Sequence, residues 1–355
     1  MHYHLILTEL CNSQCKYCYE KSMQEFENGL EEKFEFDFSE PDVSVLDLTA
    51  LKNFLAKDKN AVLIFYGGEP LLESEKIKKI IDEINVPFRM QTNAKTLDKL
   101  PIEYVNKIGK ILVSIDGDKQ RTDYNRGNGT FDLAVKNVRW ARENGYKGEF
   151  VARMTLSEFS DLFEQVKNLL DLGLFDSIHW QLDVGFYKFD YNKQRVENFL
   201  NEYNKSLTKL ANFWLSEMKK GKVIKIYPFI AIIDSLLKNE KTLLRCGAGH
   251  AGYAISTTGK LVACPIMNCI KSFEAGNINT NPSELKKFDI LKCKSCSHVD
   301  LCGGRCLYWR SAELWPQEGD DLICKSIKYY LDEMKRIFPE IQKLIENKTI
   351  SKKDF

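Results

Sequence analysis

The sequence lacks a surplus of either charge: 51 Lys and Arg stand against 50 Asp and Glu, for a net charge of +1 at pH 7. So even a balance gives no bulk attraction to nucleic acid or to an anionic membrane. Long apolar runs are missing too. No segment approaches the roughly 18 apolar residues of a membrane span. The start, Met1-His2-Tyr3-His4, carries neither a basic leader nor an apolar signal core. A cytoplasmic protein with no nucleic-acid or membrane partner is expected. What the chain does have is cysteine, eleven of them. An odd number of thiols in a reducing compartment is poor disulfide material, and metal binding is the better use. With 44% hydrophobic residues over 355 positions, a large core is within reach.

Six short runs rich in apolar and β-branched residues read as strands: residues 5–8, 62–66, 88–92, 111–115, 150–154 and 178–182. Helical periods separate them, among them Ile77, Ile80, Ile81 and Ile84, and later Leu162, Val166, Leu169 and Leu170. Repeated strand–helix units predict a parallel sheet, either doubly wound or a partly closed barrel. Residues 193–240 read as mostly helical. From Cys246 onward short segments, Gly-rich turns and most of the cysteines predict a small metal-stapled region, and an amphipathic helix over 329–347 closes the chain.

One stretch breaks the rhythm. Residues 20–42 hold nine acids against Lys21 and Lys33, and include the alternating run Phe34-Glu35-Phe36-Asp37-Phe38. Period two puts the three Phe on one face, as in a surface edge hairpin. The sharper reading is an acidic lid that docks an extended, basic peptide.

In parallel α/β folds function collects at the carboxyl ends of strands. Here those ends carry, in order, the loop of Cys11, Cys15 and Cys18, then Gly67-Gly68-Glu69-Pro70, Thr92-Asn93, Ser114-Ile115-Asp116-Gly117, Arg153, and Gln181 with Asp183. Ligand, glycine and polar residues converge on one rim. Glu69 suits an ammonium, Arg126 or Arg153 a carboxylate, and Asn93 a polar contact, so a small zwitterion would fit there. His179, Asp183 and Tyr187 are candidate catalytic groups, with no general base singled out.

Cys11-x3-Cys15-x2-Cys18, with Tyr17 before the last thiol, followed by Gly67-Gly68-Glu69-Pro70 after a strand, resembles the radical S-adenosylmethionine (SAM) superfamily. The resemblance implies that the three cysteines hold three irons of a 4Fe-4S cluster and that SAM occupies the fourth. It further implies that Tyr17 lies near the adenine, that Gly67, Gly68 and Glu69 bind the methionyl amino group, and that Ser114 and Arg126 hold the carboxylate or ribose. Where many relatives of the peptide-modifying branch carry a His before Asp123, this chain has Thr122.

The later cysteines sharpen the subclass. Cys246, Gly259 and Cys264 precede Cys293-x2-Cys296-x5-Cys302-x3-Cys306 and finally Cys324. This order resembles the SPASM extension of radical SAM enzymes, although Cys-x2-Cys spacing alone would also suit zinc. The resemblance implies two auxiliary 4Fe-4S clusters, three clusters in all: Cys246, Cys264 and Cys306 at the first auxiliary site, and Cys293, Cys296, Cys302 and Cys324 at the second. Residues 247–253 lack the extra cysteine of some relatives, so Cys269 or His250 completes the first site or its iron stays open; Cys269 is slightly favoured.

The expected fold is thus a partial (β/α)6 TIM-like barrel over residues 1–190, with an acidic insert at 20–45. A helical connector over 191–245, a SPASM region over 246–330 and a C-terminal helix and tail over 331–355 follow. The expected function is cleavage of SAM to a 5′-deoxyadenosyl radical and oxidative modification of a peptide or protein, as in the maturation of ribosomally made peptides, with a flavodoxin- or ferredoxin-type electron donor. The alternatives are a sulfatase-maturase-like enzyme that makes formylglycine, and a non-catalytic iron-sulfur or zinc protein.

Overall fold

The computed structural model describes residues 1–19, 28–159, 161–290, 293 and 295–355. Ten strands follow in chain order: β1 (His2–Ile6), β2 (Val62–Tyr66), β3 (Phe88–Thr92), β4 (Ile108–Ser114), β5 (Glu149–Leu156), β6 (Ser177–Leu182), β7 (Lys225–Ile226), β8 (Gly252–Ile255), β9 (Lys260–Val262) and β10 (Glu274–Asn277). The described residues group into two compact units. The first comprises Met1–Ile115, Lys119–Ala152 and Cys246–Asp289; the second comprises Asp116–Asp118, Arg153–Arg245 and Ile290–Phe355.

In the first unit the strands lie in the order β10-β9-β8-β1-β2-β3-β4. Strand β1 is the hinge of this arrangement: it pairs in parallel with β2 from His2↔Val62 to Ile6↔Tyr66, and on its other side in parallel with β8 from His2↔Gly252 to Leu5↔Ile255. Strands β8, β9 and β10 then pair antiparallel. The run Val62-Leu-Ile-Phe-Tyr66 is continuously apolar, as in parallel strands whose two faces are both covered, and Leu63, Ile64 and Phe65 are buried. Tyr3, Leu63, Phe65, Met90, Ile111 and Val113 are fully enclosed, each large side chain contributing roughly 1.5–3 kcal/mol of hydrophobic stabilisation. Helix Ser74–Glu83 buries Ile77, Ile80 and Ile81, the face predicted by its spacing.

Strand β5 is divided at Ala152, with Glu149–Ala152 in the first unit and Arg153–Leu156 in the second; β6 and β7 pair in parallel within the second unit. Its helices are Leu162–Asp171, Lys193–Lys219, Tyr227–Lys238 and Gln317–Glu346, with shorter turns between. Helix Lys193–Lys219 starts where the Asn192 side chain accepts from the Arg195 backbone N–H at 2.9 Å. The last helix begins at Gln317, well ahead of the expected residue 329, because Pro316 precedes it and Glu318 and Asp320 complement the dipole of its first turn.

All six expected strands are present, with one shift of interest. Strand β1 ends at Ile6, and Thr8 leaves the ladder because its hydroxyl donates to the Asp42 carbonyl at 3.0 Å and accepts from the Leu10 N–H at 3.1 Å. That turn launches the cysteine loop. The acidic insert does not form the expected hairpin among its described residues. Phe36 makes a single antiparallel bridge to Ile270, the Phe36 and Phe38 rings stack at 5.4 Å, and Phe34 packs edge-on against Phe273. Asp37 and Glu40 instead ion-pair with Lys260, so charge pairing rather than strand pairing holds the segment. Residues 20–27, which include the first three acids, lie outside the described residues.

Candidate active site

The loop of Cys11, Cys15 and Cys18 is held by backbone hydrogen bonds and by the Asn93 side chain. The Gly68 N–H donates to the Thr8 carbonyl at 2.8 Å and the Glu69 N–H to the Leu10 carbonyl at 2.9 Å, so the end of β2 is laced to the start of the loop. Two glycines make this approach feasible. A Cβ on Gly67, whose φ is +137°, would lie 2.2 Å from the Thr8 carbonyl oxygen, and one on Gly68 would lie 2.4 Å from that of Leu10. From the end of β3 the Asn93 amide reaches Asn12 Oδ1 at 2.7 Å and Ser13 Oγ at 3.2 Å. From helix Lys119–Arg126 the Asn125 carbonyl accepts from the Lys16 N–H at 2.9 Å.

Glu69 is 1% exposed and anchors the turn. Its Oε1 accepts from the Thr92 hydroxyl at 2.6 Å and the Leu71 N–H at 3.1 Å, and its Oε2 from the Asn93 N–H at 2.8 Å. Burial pushes its carboxyl above the usual range, while these donors and Lys95 oppose the shift.

Cys15 and Cys18 are electrostatic neighbours of Cys11. Cys11 is exposed as a residue, yet its sulfur is crowded enough that burial pushes its thiol up to about 11, opposed by a backbone hydrogen bond from Ser13 and reinforced by Glu69, Cys15 and Cys18. Beside them the Arg126 guanidinium lies 5.2 Å from the Tyr17 ring centre, and Arg126 is 6% exposed. Ser114 ends β4 in the same unit. Arg153, another candidate carboxylate ligand, belongs to the second unit, where one of its Nη atoms donates to Gln181 Oε1 at 2.6 Å and the other to His179 Nδ1.

That contact decides the state of His179. A guanidinium has no acceptor, so Nδ1 must accept, and burial followed by the Arg153 charge holds the ring well below its ordinary pKa. Asp183 goes the other way: burial, aided by Asp190 and Asp116 and opposed by Arg305 and Arg195, pushes its carboxyl up to about 7. Tyr187 contributes its carbonyl to the Trp315 indole N–H at 2.8 Å.

A second thiol group lies in the second unit. Cys293, Cys296, Cys302 and Cys324 are electrostatic neighbours. Burial raises both the Cys293 and Cys302 thiols, with Arg310 lowering Cys293, the Gly304 backbone lowering Cys302, and the nearby thiols adding to each rise. Cys246 and Cys264 belong to the first unit and Cys306 to the second. Burial pushes the Cys269 thiol up to about 11, and its charged neighbours are the carboxylates of Glu9 and Asp37. Among the described residues no three His, Cys, Asp or Glu side chains converge tightly enough to hold a single metal ion. Soft sulfur donors grouped in threes and fours match the ligand chemistry of iron-sulfur clusters.

Sequence reasoning did not single out Asn12, Ser13, Arg305, Trp309 or Arg310. The first two are ordinary polar residues until the loops meet. The last three stand between cysteines, where a basic-aromatic run was a usable signal.

Thiol loop, glycine turn and parallel strands together define an iron-sulfur enzyme class, and residues 5–184 match the Radical SAM superfamily. The chain belongs to that family, whose members use a 4Fe-4S cluster and SAM. Its later cysteine order resembles the SPASM extension of such enzymes. It is similar to the cysteine-type anaerobic sulfatase-maturating enzyme of Clostridium perfringens, with 22% identity over 91% of this chain and 92% of that one. It is also similar to the radical SAM cyclopropyl synthase TigE of Paramaledivibacter caminithermalis, with 22% identity over 85% of this chain and 67% of that one. Among solved structures it shares its fold with native anSMEcpe with bound AdoMet, at TM-score 0.71 and 18% identity, over 98% of this chain and 100% of that one. The fold is therefore the α/β, partial-barrel type of these enzymes.

Proposed function

We propose that this protein cleaves SAM reductively to a 5′-deoxyadenosyl radical and uses it to modify a residue of a peptide or protein oxidatively, for instance by a crosslink. The carrying observation is the rim of the first unit, where three electrostatically neighbouring thiols share a loop whose start is backbone-laced to the Gly67-Gly68-Glu69 turn. When bound there, the cluster and SAM supply the one-electron chemistry; the chain supplies position. Cys11, Cys15 and Cys18 hold three corners. A carboxylate offers about four acceptor positions, and Glu69 uses three of them internally, so Oε2 retains one for the ammonium of SAM. Asn93 holds the cysteine loop in place beside it, Tyr17 flanks the adenine, and Ser114 and Arg126 take the carboxylate or ribose.

Arg153 serves the second unit's polar face rather than a free carboxylate, since its Nη atoms already donate to His179 and Gln181. Asp183 is the best of the three proton acceptors. Its carboxyl titrates at about 7, near the working pH of a general base, whereas His179 is tied to Arg153. Cys293, Cys296, Cys302 and Cys324 would hold an auxiliary cluster, which would supply a one-electron acceptor for the substrate radical. A further one on Cys246, Cys264 and Cys306 is supported by the cysteine order alone. A flavodoxin- or ferredoxin-type donor in the cytoplasm would deliver the initiating electron, and among the described residues no helix is long and apolar enough to cross a membrane.

A peptide substrate is supported by anSMEcpe, which is also solved with bound AdoMet and a Cp18Cys peptide at TM-score 0.69. The end-to-end match to a sulfatase-maturating enzyme supports a second reading, conversion of a Cys side chain to formylglycine. Anaerobic reconstitution tests both. The expected result is about twelve irons per chain and dithionite-dependent 5′-deoxyadenosine; zinc in place of iron, with SAM left intact, would refute the enzyme. Formylglycine in a Cys-containing sulfatase-type peptide would select the second reading.

A further inference from the structure

We propose that Arg310, supported by Arg305 and Trp309, donates N–H hydrogen bonds to the auxiliary cluster held by Cys293, Cys296, Cys302 and Cys324, and thereby raises its reduction potential. The inference rests on the reading that these four thiols hold a cluster.

The loop between Cys302 and Cys306 is wound left-handed at three successive residues: Gly303 at φ +71°, Gly304 at +86° and Arg305 at +67°. Glycine adopts this backbone freely, but a long side chain such as Arg305 does so at a cost of about 1–3 kcal/mol. The two glycines are also sterically required, since a Cβ on Gly303 would meet the Leu244 backbone N at 2.8 Å and one on Gly304 the Ile290 side chain at 2.9 Å. The strained residue is thus the one whose side chain is driven inward.

What it joins is a stack. The Arg305 guanidinium lies 4.4 Å and the Arg310 guanidinium 4.1 Å from the Trp309 ring, which is fully buried. The indole fits because residue 185 is glycine; a Cβ there would sit 2.6 Å from Trp309 Cδ1 and Nε1. Two guanidinium groups on one buried indole repel each other; the buried Asp320 carboxylate and the Cys324 thiol are negative neighbours of both. Arg310 already donates to Cys324 Sγ at 2.9 Å, and Arg305 to the Val184 carbonyl at 3.2 Å. Yet Arg305 Nη1, Arg310 Nε and Trp309 Nε1 are buried donors with no hydrogen-bond partner in the protein. Buried donors normally have partners. Arg310 Nε belongs to the guanidinium that already reaches Cys324, so an anion held by these thiols would match it, while Trp309 Nε1 lies beside Gly185.

The direction of the effect follows from charge. Reduction adds an electron to an already anionic cluster, so N–H donors and nearby cations stabilise the reduced form more than the oxidised one.

An EPR-monitored redox titration tests this in the full chain carrying Cys11→Ala, Cys15→Ala and Cys18→Ala, which removes the SAM-binding cluster signal. With iron content unchanged, Arg310→Met is expected to lower the reduced-to-oxidised ratio about tenfold at a fixed potential, or about 59 mV for a one-electron couple, and Arg310→Lys to fall between. Equal potentials in all three proteins at equal iron overturn the proposal. If Arg310→Met fails to fold or to hold iron, Arg310→Lys and the wild-type holoprotein decide. Exchange of the wild type into D2O is expected to move its auxiliary Fe–S stretching bands, and bands that stay fixed overturn the N–H donation. A wild-type chain that holds only about four irons refutes instead the reading beneath, by showing that no auxiliary cluster exists.

Discussion

The thiols of the first unit and those of the second are surrounded by different things. Around Cys11, Cys15 and Cys18 the fixing contacts are main-chain amides and glycine turns, and the nearby carboxylate of Glu69 adds negative charge. Around Cys293 and Cys324 the fixing group is a guanidinium, Arg310, within a buried cation–indole stack. Backbone contacts leave room at a rim and let a small molecule approach closely. A cationic surround would instead suit a permanently ligated anion and, as proposed above, raise its potential. One arrangement suits exchange of a cosubstrate, the other storage of an electron.

Removing thiols from each group should separate these roles with the largest effect. Cys11→Ala, Cys15→Ala and Cys18→Ala together are expected to abolish 5′-deoxyadenosine formation and remove about four irons while leaving auxiliary EPR signals intact. Cys302→Ala is expected to do the reverse for iron, removing an auxiliary signal with SAM cleavage retained. Loss of both signals in either protein would show that the two groups are one cooperative site.

Glycine substitution sharpens the contrast between backbone and side-chain contacts. Gly67→Ala places a Cβ 2.2 Å from a main-chain oxygen at positive φ, whereas Gly304→Ala, also at positive φ, meets the far end of the Ile290 side chain at 2.9 Å. The first is expected to destabilise by about 3 kcal/mol and the second by about 1–2 kcal/mol, read by denaturant unfolding. An equal loss in the two proteins would deny that the first loop is held by backbone approach.

The last effect is electrostatic and belongs to the second unit. Asp183 titrates at about 7 when folded against about 3.9 when unfolded. The folded state therefore binds this proton more tightly, and stability from this group is full below about pH 4 and declines as pH rises toward 7. Asp183→Asn should abolish that slope and stabilise the protein at pH 8. If Asp183 is the proton acceptor, the variant should also lose the rising limb of product formation near pH 7 while still cleaving SAM. An unchanged pH profile in both measurements would remove Asp183 from consideration.

Much of the candidate site was legible in the chain because its signals are local. The Cys-x3-Cys-x2-Cys spacing and the Gly-Gly-Glu-Pro run each lie within a few residues, and period-two and 3.6-residue patterns located β1 to β6 and helices such as Ser74–Glu83. Local pattern misled at Phe34-Glu35-Phe36-Asp37-Phe38, whose alternation forms one bridge only, because Asp37 and Glu40 are drawn to Lys260, more than 200 residues away. It also hid Glu69 as an internal anchor, since Thr92 and Asn93 reach it from the next strand.

What the amino-acid order alone determined was the inventory: which thiols are grouped, which runs become strands, and which glycines punctuate them. Those properties depend on neighbours a few positions apart, where steric preference and periodicity act directly. Only the tertiary structure decided which groups share a field: that Arg153 neutralises His179 as a proton carrier, that Asp183 is crowded into titrating near neutrality, and that two arginines clasp Trp309 beside Cys324. Burial and Coulomb interaction depend on distance in space, which chain order does not encode until the strands and helices have packed.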